Sequence, residues 1–217
     1  MKLSQLFYNC AYTIHYEQAG DSVNYAFVED GTVLYIYFQG SNSTTDWIRN
    51  FLFGARPYKD MEIPYRVHRG FLAAWKEVED IIIEKIRDPK WTKIITVGYS
   101  HGGALAGFCH ECVWYWRPDL RDVIEGYGFE APRFYAGYKV KKELKERWAR
   151  FLVIRDNNDI VTHCPPSIFG YCHVGDMLQV HGDTSLAPKK WYLMNCVKSH
   201  YPEVVYNGLV EHERSGN

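Results

Sequence analysis

Ser100 is framed by glycines in Gly98-Tyr99-Ser100-His101-Gly102, with Gly103 directly behind. This is the spacing of a serine nucleophile carried on a sharp strand-to-helix turn. A serine hydroxyl attacks poorly at neutral pH. It needs a base within hydrogen-bond reach, a carboxylate to orient that base, and donors for the oxyanion that develops. The amide of His101, at the start of whatever helix follows, points where such an oxyanion would form. A chain with 17 glycines can also produce the pattern by composition, so the partners have to be found. Asp159, in RDNNDIVTHCPP, follows a short apolar run as a triad carboxylate should. Asp156 stands closer to that run and competes for the role, or braces the turn through backbone hydrogen bonds. Nine histidines compete for the base. His101 adjoins Ser100, but adjacent side chains diverge at an elbow. His15, His110 and His212 fall in helical or terminal stretches and read as solvent-exposed. His163, His173, His181 and His200 all follow the carboxylate, and the order serine, acid, histidine does not choose among them.

The elements that must hold these groups read as an alternation of strands and helices. KIITVGY (93–99) is a β-branched run ending at Ser100, and ALAGFCHECVWYW after it suits a helix. VNYAFVED and VLYIYFQ flank Gly31 and Thr32 as a hairpin. Phe71, Trp75, Val78, Ile82 and Ile86 recur at three- and four-residue steps, marking an amphipathic helix that ends before Pro89. VIEGYGFEAP and FLVIRD read as further core strands, with weaker ones near 170–180 and a terminal helix from about Tyr201. RPYKDMEIP reads as an exposed loop and KKELKERWAR as a charged surface helix. The pattern predicts an α/β fold with a largely parallel sheet in one domain, residues 1–217.

Composition narrows the chemistry further. The 217 residues are 47% hydrophobic and 24% charged with a net charge of -1, which gives no footprint for nucleic acid. Aromatic content of 16% suits a dense core or an apolar pocket. No stretch approaches the roughly 18 apolar residues of a membrane helix. The amino terminus shows no apolar run with a cleavage site, so a cytoplasmic setting is expected, with non-classical export as the other route. Six cysteines are expected as reduced thiols. The CxxC pair Cys109 and Cys112 lies inside the helix after Ser100 and reads as buried small side chains; no metal is expected.

Five blocks, in order, resemble the class 3 lipase family, which includes fungal triacylglycerol lipases. FQGSNSTTDW (38–47) is similar to F-R-G-[ST]-x-S-x-x-[DN]-W, with Gln39 in place of arginine. VHRGFLAAW resembles V-H-x-G-F, and GYSHGGALA resembles G-H-S-L-G-G-A-L-A. GFEAPRFY resembles F-G-x-P-R, and NNDIVTHCPP resembles N-x-x-D-x-V-x-x-L-P-P. The resemblance implies an α/β-hydrolase fold, with a mostly parallel central sheet flanked by helices. It implies Ser100 as nucleophile, Asp159 as triad acid and His200 as base. Oxyanion amides would come from Ser41 and His101, and a lid would lie at 45–60 with Trp47, Ile48, Phe51 and Leu52. A fixed surface helix is the other reading of that segment. His68 would be structural. The function implied is a serine carboxylic-ester hydrolase, a lipase or esterase acting on lipid or other acyl esters at or near a lipid–water interface, without a cofactor. A non-catalytic lipid-binding module, an acyltransferase and a thioesterase are the alternatives on the same fold. Tyr99 and His101 stand where the family pattern has histidine and leucine. The chain is also shorter than the secreted fungal enzymes, which speaks against extracellular triglyceride digestion.

Overall fold

The computed structural model describes residues 1–40, 54–59, 63–189 and 195–216. Ser41, Trp47, Ile48, Phe51 and Leu52, and with them most of the expected lid, lie outside the described residues.

A seven-stranded sheet organises the chain. Its first three strands are β1 (Glu17–Ala19), β2 (Val23–Asp30) and β3 (Val33–Phe38), joined antiparallel. From β3 onward the sheet is parallel, through β6 (Lys93–Tyr99), β7 (Glu125–Phe129), β9 (Phe151–Arg155) and β11 (Asp176–Gln179). The expected hairpin and core strands are therefore present at close to their expected bounds. Successive side chains serve opposite faces: Ile36, Ile94 and Val153 join one core cluster, while Tyr37, Ile95 and Ile154 join the other.

The first face is covered by α2 (Arg69–Ile86) and α3 (His101–Trp116). Helix α2 buries Phe71, Trp75, Val78, Ile82 and Ile86, the stripe read from its periodicity. Helix α3 is buried on all sides from His101 to Val113, including Cys109 and Cys112, and all six cysteines are free thiols. Helix α1 (Leu3–Tyr8) and the terminal helix α4 (Pro202–Arg214) cover the second face through Leu6, Phe7, Val205 and Leu209.

Three expectations are corrected. Residues 56–58 of the supposed loop belong to β4 (Ala55–Tyr58), which pairs with β5 (Tyr65–His68) in a second sheet that also contains β8 (Tyr135–Ala136) and β10 (Tyr171–Cys172). The reason is Tyr58, whose ring is buried and whose hydroxyl donates to Glu79 at 2.9 Å. KKELKERWAR is a run of 3-10 turns over Lys142–Trp148, with Leu144, Arg147 and Trp148 buried. Arg147 forms a buried ion pair with Glu111 of α3, and Trp148 donates to the Gly107 carbonyl at 3.0 Å. His110 is buried in α3 instead of exposed, and burial lowers its pKa to about 3.

Candidate active site

The parallel strands end together, and the candidate groups follow those ends. Ser100 comes directly after β6 with φ 57° and ψ -125°, a conformation that few residues with a β-carbon adopt. Two bonds hold it there: its amide donates to Phe129 O at 2.9 Å, and its carbonyl accepts from Gly103 N at 2.9 Å. The flanking glycines are required by contact. A β-carbon on Gly98 would stand 2.0 Å from the Gly102 carbonyl oxygen, and one on Gly102 would stand 2.2 Å from the Phe38 carbonyl oxygen. Strand β6, helix α3 and the end of β3 thus meet closer than any side chain allows. The turn is bought with glycine and pointed at the strand ends.

Asp159 lies in the loop after β9, fully buried. Its Oδ1 accepts the Val161 amide at 2.9 Å, and its Oδ2 meets His200 Nδ1 at 2.5 Å. A carboxylate only accepts, so Nδ1 carries the hydrogen and Nε2 is left with its lone pair. That Nε2 lies 2.8 Å from Ser100 Oγ. His200 reaches this place on the segment just before α4, which is tied to the acid loop by Ile160 N donating to Cys196 O at 3.0 Å. Of the late histidines, His163 and His173 are turned onto backbone carbonyls of Asn157 and Thr162, both at 2.9 Å, and His181 lies against Asp156. Asp156 also accepts the Asn158 amide at 2.8 Å, the bracing role considered for it.

His101 provides the first amide of α3, which no carbonyl within the helix can accept. Its ring turns away from Ser100's partners and packs on Phe71, with centroids 5.4 Å apart. Burial, helped by the neighbouring His68, lowers its pKa to about 4 and keeps it neutral. His68 caps α2 by accepting the Phe71 amide, so it is closer to the nucleophile turn than its place in the sequence suggests.

Three contributors have no assigned role in the sequence reading. The Tyr99 ring stacks on His200 with centroids 5.2 Å apart, and its hydroxyl donates to the His200 carbonyl. Arg133 braces the acid loop by donating to His163 O at 2.8 Å and Pro165 O at 3.2 Å. Glu130, buried directly after β7, accepts the Asp156 amide at 2.9 and 3.1 Å. No spacing rule points to these residues, because each acts on a loop that is remote in sequence.

The class 3 lipase family matches residues 35–169, which is more than half of the chain. The chain belongs to the class 3 lipase family. It is 30% identical over 160 residues to a lipase of Rhizomucor miehei, covering 66% of this chain and 40% of that protein. It is 31% identical over 139 residues to the secreted mono- and diacylglycerol lipase 1 of Fusarium solani, covering 62% of this chain and 40% of that protein. The chain therefore spans about 40% of the length of these curated relatives. The Rhizomucor miehei triacylglyceride lipase structure shares the fold at a TM-score of 0.65 and 21% identity, over 89% of this chain and 82% of that one.

These relatives overturn the cytoplasmic expectation, since the Fusarium solani protein is a secreted lipase. The physical fault lies in reading an address from the amino-terminal stretch, whose Leu6 and Phe7 are core residues of the fold. Among the described residues, no helix is long and apolar enough to cross a membrane.

Proposed function

We propose that this member of the class 3 lipase family hydrolyses carboxylic esters of lipid type by acyl transfer through Ser100, in a domain spanning residues 1–217. The continuous chain from Ser100 Oγ to His200 at 2.8 Å, and from His200 to Asp159 at 2.5 Å, is the observation that carries this reading. Ser100 Oγ attacks the ester carbonyl while His200 Nε2 takes its proton. Asp159 holds the ring so that the other nitrogen keeps its hydrogen, and it stabilises the imidazolium that forms. The imidazolium then protonates the departing alcohol, and a water, deprotonated by the same Nε2, releases the acid from Ser100.

The amides of His101 and Ser41 stabilise the oxyanion in this reading. Gly40 supports the second assignment, because a β-carbon there would stand 3.2 Å from Ser100 Cβ, so the chain passes beside the nucleophile just before Ser41. The acylglycerol specificity in the Fusarium solani relative's name suggests acylglycerols as the first substrates to try.

A serine-directed fluorophosphonate, followed by peptide mass mapping, tests the proposal. Wild-type protein should be labelled on Ser100, and Ser100→Ala should stay unlabelled with turnover of nitrophenyl esters down by roughly four to six orders of magnitude. An unlabelled wild type, or a Ser100→Ala protein with a tenth of the activity, overturns it.

A further inference from the structure

We propose that Glu130 is a positioning residue for the triad. Its carboxyl donates a hydrogen bond to Asp159 while accepting the amide of Asp156, and so sets the place and the charge density of the carboxylate on which His200 rests. This inference depends on the reading of Ser100, His200 and Asp159 as a triad.

The backbone gives the first argument. Glu130 has φ 46°, in the left-handed region, and the family pattern F-G-x-P-R has glycine at its place. A side chain that is fully buried and costly in backbone conformation is held here by its own carboxyl. Its position links the two turns. The residue before it receives the Ser100 amide through Phe129 O, its own amide donates to Ile154 O at 2.8 Å, and its carboxyl takes the amide of Asp156. Glu130 therefore touches the loop that carries the acid and adjoins the turn that carries the nucleophile.

The second argument is the hydrogen-bond count. Glu130 and Asp159 are both fully buried and are joined through Asp156, whose amide donates to Glu130 and whose carbonyl accepts the Asp159 amide at 3.0 Å, so the two carboxyl groups lie against each other. Two carboxyl groups in contact and shielded from water cannot both be ionised, so one holds a proton. Asp159 already faces two donors, Val161 N–H and His200 Nδ1–H. Glu130 faces one, the Asp156 amide shared across both oxygens. The proton belongs on Glu130, and the shared bond points from Glu130 to Asp159. Burial first, then the charge of Asp159, raises the Glu130 pKa well above the carboxylate range. The other groups that bear on the pair are Asp156 from the same loop, Tyr99 from the end of β6, His200 beyond Asp159 and His181 beyond Asp156.

The consequence is a tuned base. A donor on Asp159 spreads its negative charge and weakens its hold on a protonated His200. Removing the donor should tighten the bond between Asp159 and the His200 Nδ1–H.

Two measurements on the intact chain test this without needing turnover. The first compares wild type with Glu130→Gln in urea unfolding from pH 4.5 to 8. Gln keeps a donor for Asp159 and an acceptor for Asp156 but cannot titrate. Wild-type Glu130 takes up a proton on folding, so its stability contribution is full below the ordinary glutamate pKa and is lost as pH rises toward the raised folded value. The ratio of wild-type to Glu130→Gln folding constants should then fall up to about tenfold per pH unit, equivalent to about 1.4 kcal/mol. A ratio that is flat across this range overturns the shared proton.

The second follows the His200 Nδ1–H proton, which bonds Asp159, by low-field NMR. Glu130→Ala should move this resonance downfield, and Glu130→Gln should restore it to near the wild-type position. An unmoved resonance in folded Glu130→Ala, or an equal shift in Glu130→Gln, overturns the positioning role. Should Glu130→Ala not fold, the wild-type and Glu130→Gln pair still decides. Failure of fluorophosphonate labelling strikes the catalytic reading instead, so the two failures are distinguishable.

Discussion

Two histidine–aspartate contacts stand side by side behind the ends of the parallel strands. Asp159 meets His200, and three residues earlier Asp156 meets His181 at 3.2 Å. Each aspartate also accepts the backbone amide two residues further on, Val161 for Asp159 and Asn158 for Asp156. The local chemistry is nearly the same, and the surroundings are opposite. His200 and Asp159 are 3% and 0% exposed, and the free nitrogen of His200 faces Ser100 Oγ. The His181 side chain is 59% exposed, and its second nitrogen faces Gln179. Solvent weakens the electrostatic hold of Asp156 on its histidine, and the partner at the far nitrogen is an amide with no nucleophilic use. In the proposed reaction, an aspartate beside a histidine serves a base only where water is excluded and a hydroxyl is in reach.

The strongest way to break this contrast is to remove one member of the buried pair. His200→Ala should lower kcat/KM for a soluble nitrophenyl ester by roughly four to six orders of magnitude. Asp159→Asn should cost about four orders, because the amide can hold the imidazole in the wrong tautomer. Both proteins should keep the fold by circular dichroism. If His181 were the base, His200→Ala would remain active and the contrast would be inverted.

How far the sequence spoke for this site depends on how local each feature is. The strand Lys93–Tyr99 and the stripe of α2 were legible because β-branched runs and helical periodicity are properties of a few neighbouring residues. The buried side of Lys142–Trp148 was not, since the partner of Arg147 is Glu111, 36 residues earlier. A charged composition looks the same whether its charges are solvated or paired. The base was chosen from four histidines only by family resemblance, because Ser100 and His200 are 100 residues apart in sequence. Glu130 lies inside GFEAPRFY, and the single local sign is a glutamate where the pattern has glycine.

A third histidine sharpens the comparison. His101 is as close to Ser100 in sequence as a residue can be, yet its buried ring faces Phe71. Its pKa of about 4 is below the ordinary 6.5, so the folded state refuses a proton that the unfolded chain accepts. The sign follows: its neutral burial costs nothing above pH 6.5, and stability is lost as pH falls from 6.5 toward 4. His101→Leu keeps the backbone amide and removes the titration. It should be about 2 kcal/mol more stable relative to wild type at pH 5 than at pH 7.5 by urea unfolding. Ester turnover at pH 7.5 should stay within about threefold, since only the amide is used. A loss near that of His200→Ala would return His101 to the base role.

A smaller effect is expected from what steadies His200 and has no described counterpart at His181. The Tyr99 hydroxyl donates to the His200 carbonyl while its ring stacks on the imidazole. Tyr99→Phe removes the hydroxyl and keeps the ring, and leaves a buried carbonyl without that donor. The cost should be about 1 kcal/mol, or roughly fivefold in kcat, with KM unchanged. An effect on KM alone would mean that Tyr99 touches substrate instead of steadying the base.

The smallest effect is reserved for the exposed pair itself. His181→Ala deletes a ring whose contact to Asp156 is open to water, and exposed ion pairs contribute about 0–1 kcal/mol. Asp156 keeps its bond to the Asn158 amide, and its own amide keeps Glu130, so neither of these ties depends on the His181 ring. Turnover should therefore change by less than about twofold and the urea midpoint hardly at all. A tenfold loss in kcat would mean that Asp156 transmits the state of His181 to Glu130 and on to Asp159. The two contacts would then be one network, and exposure at its outer end would be an input to the base.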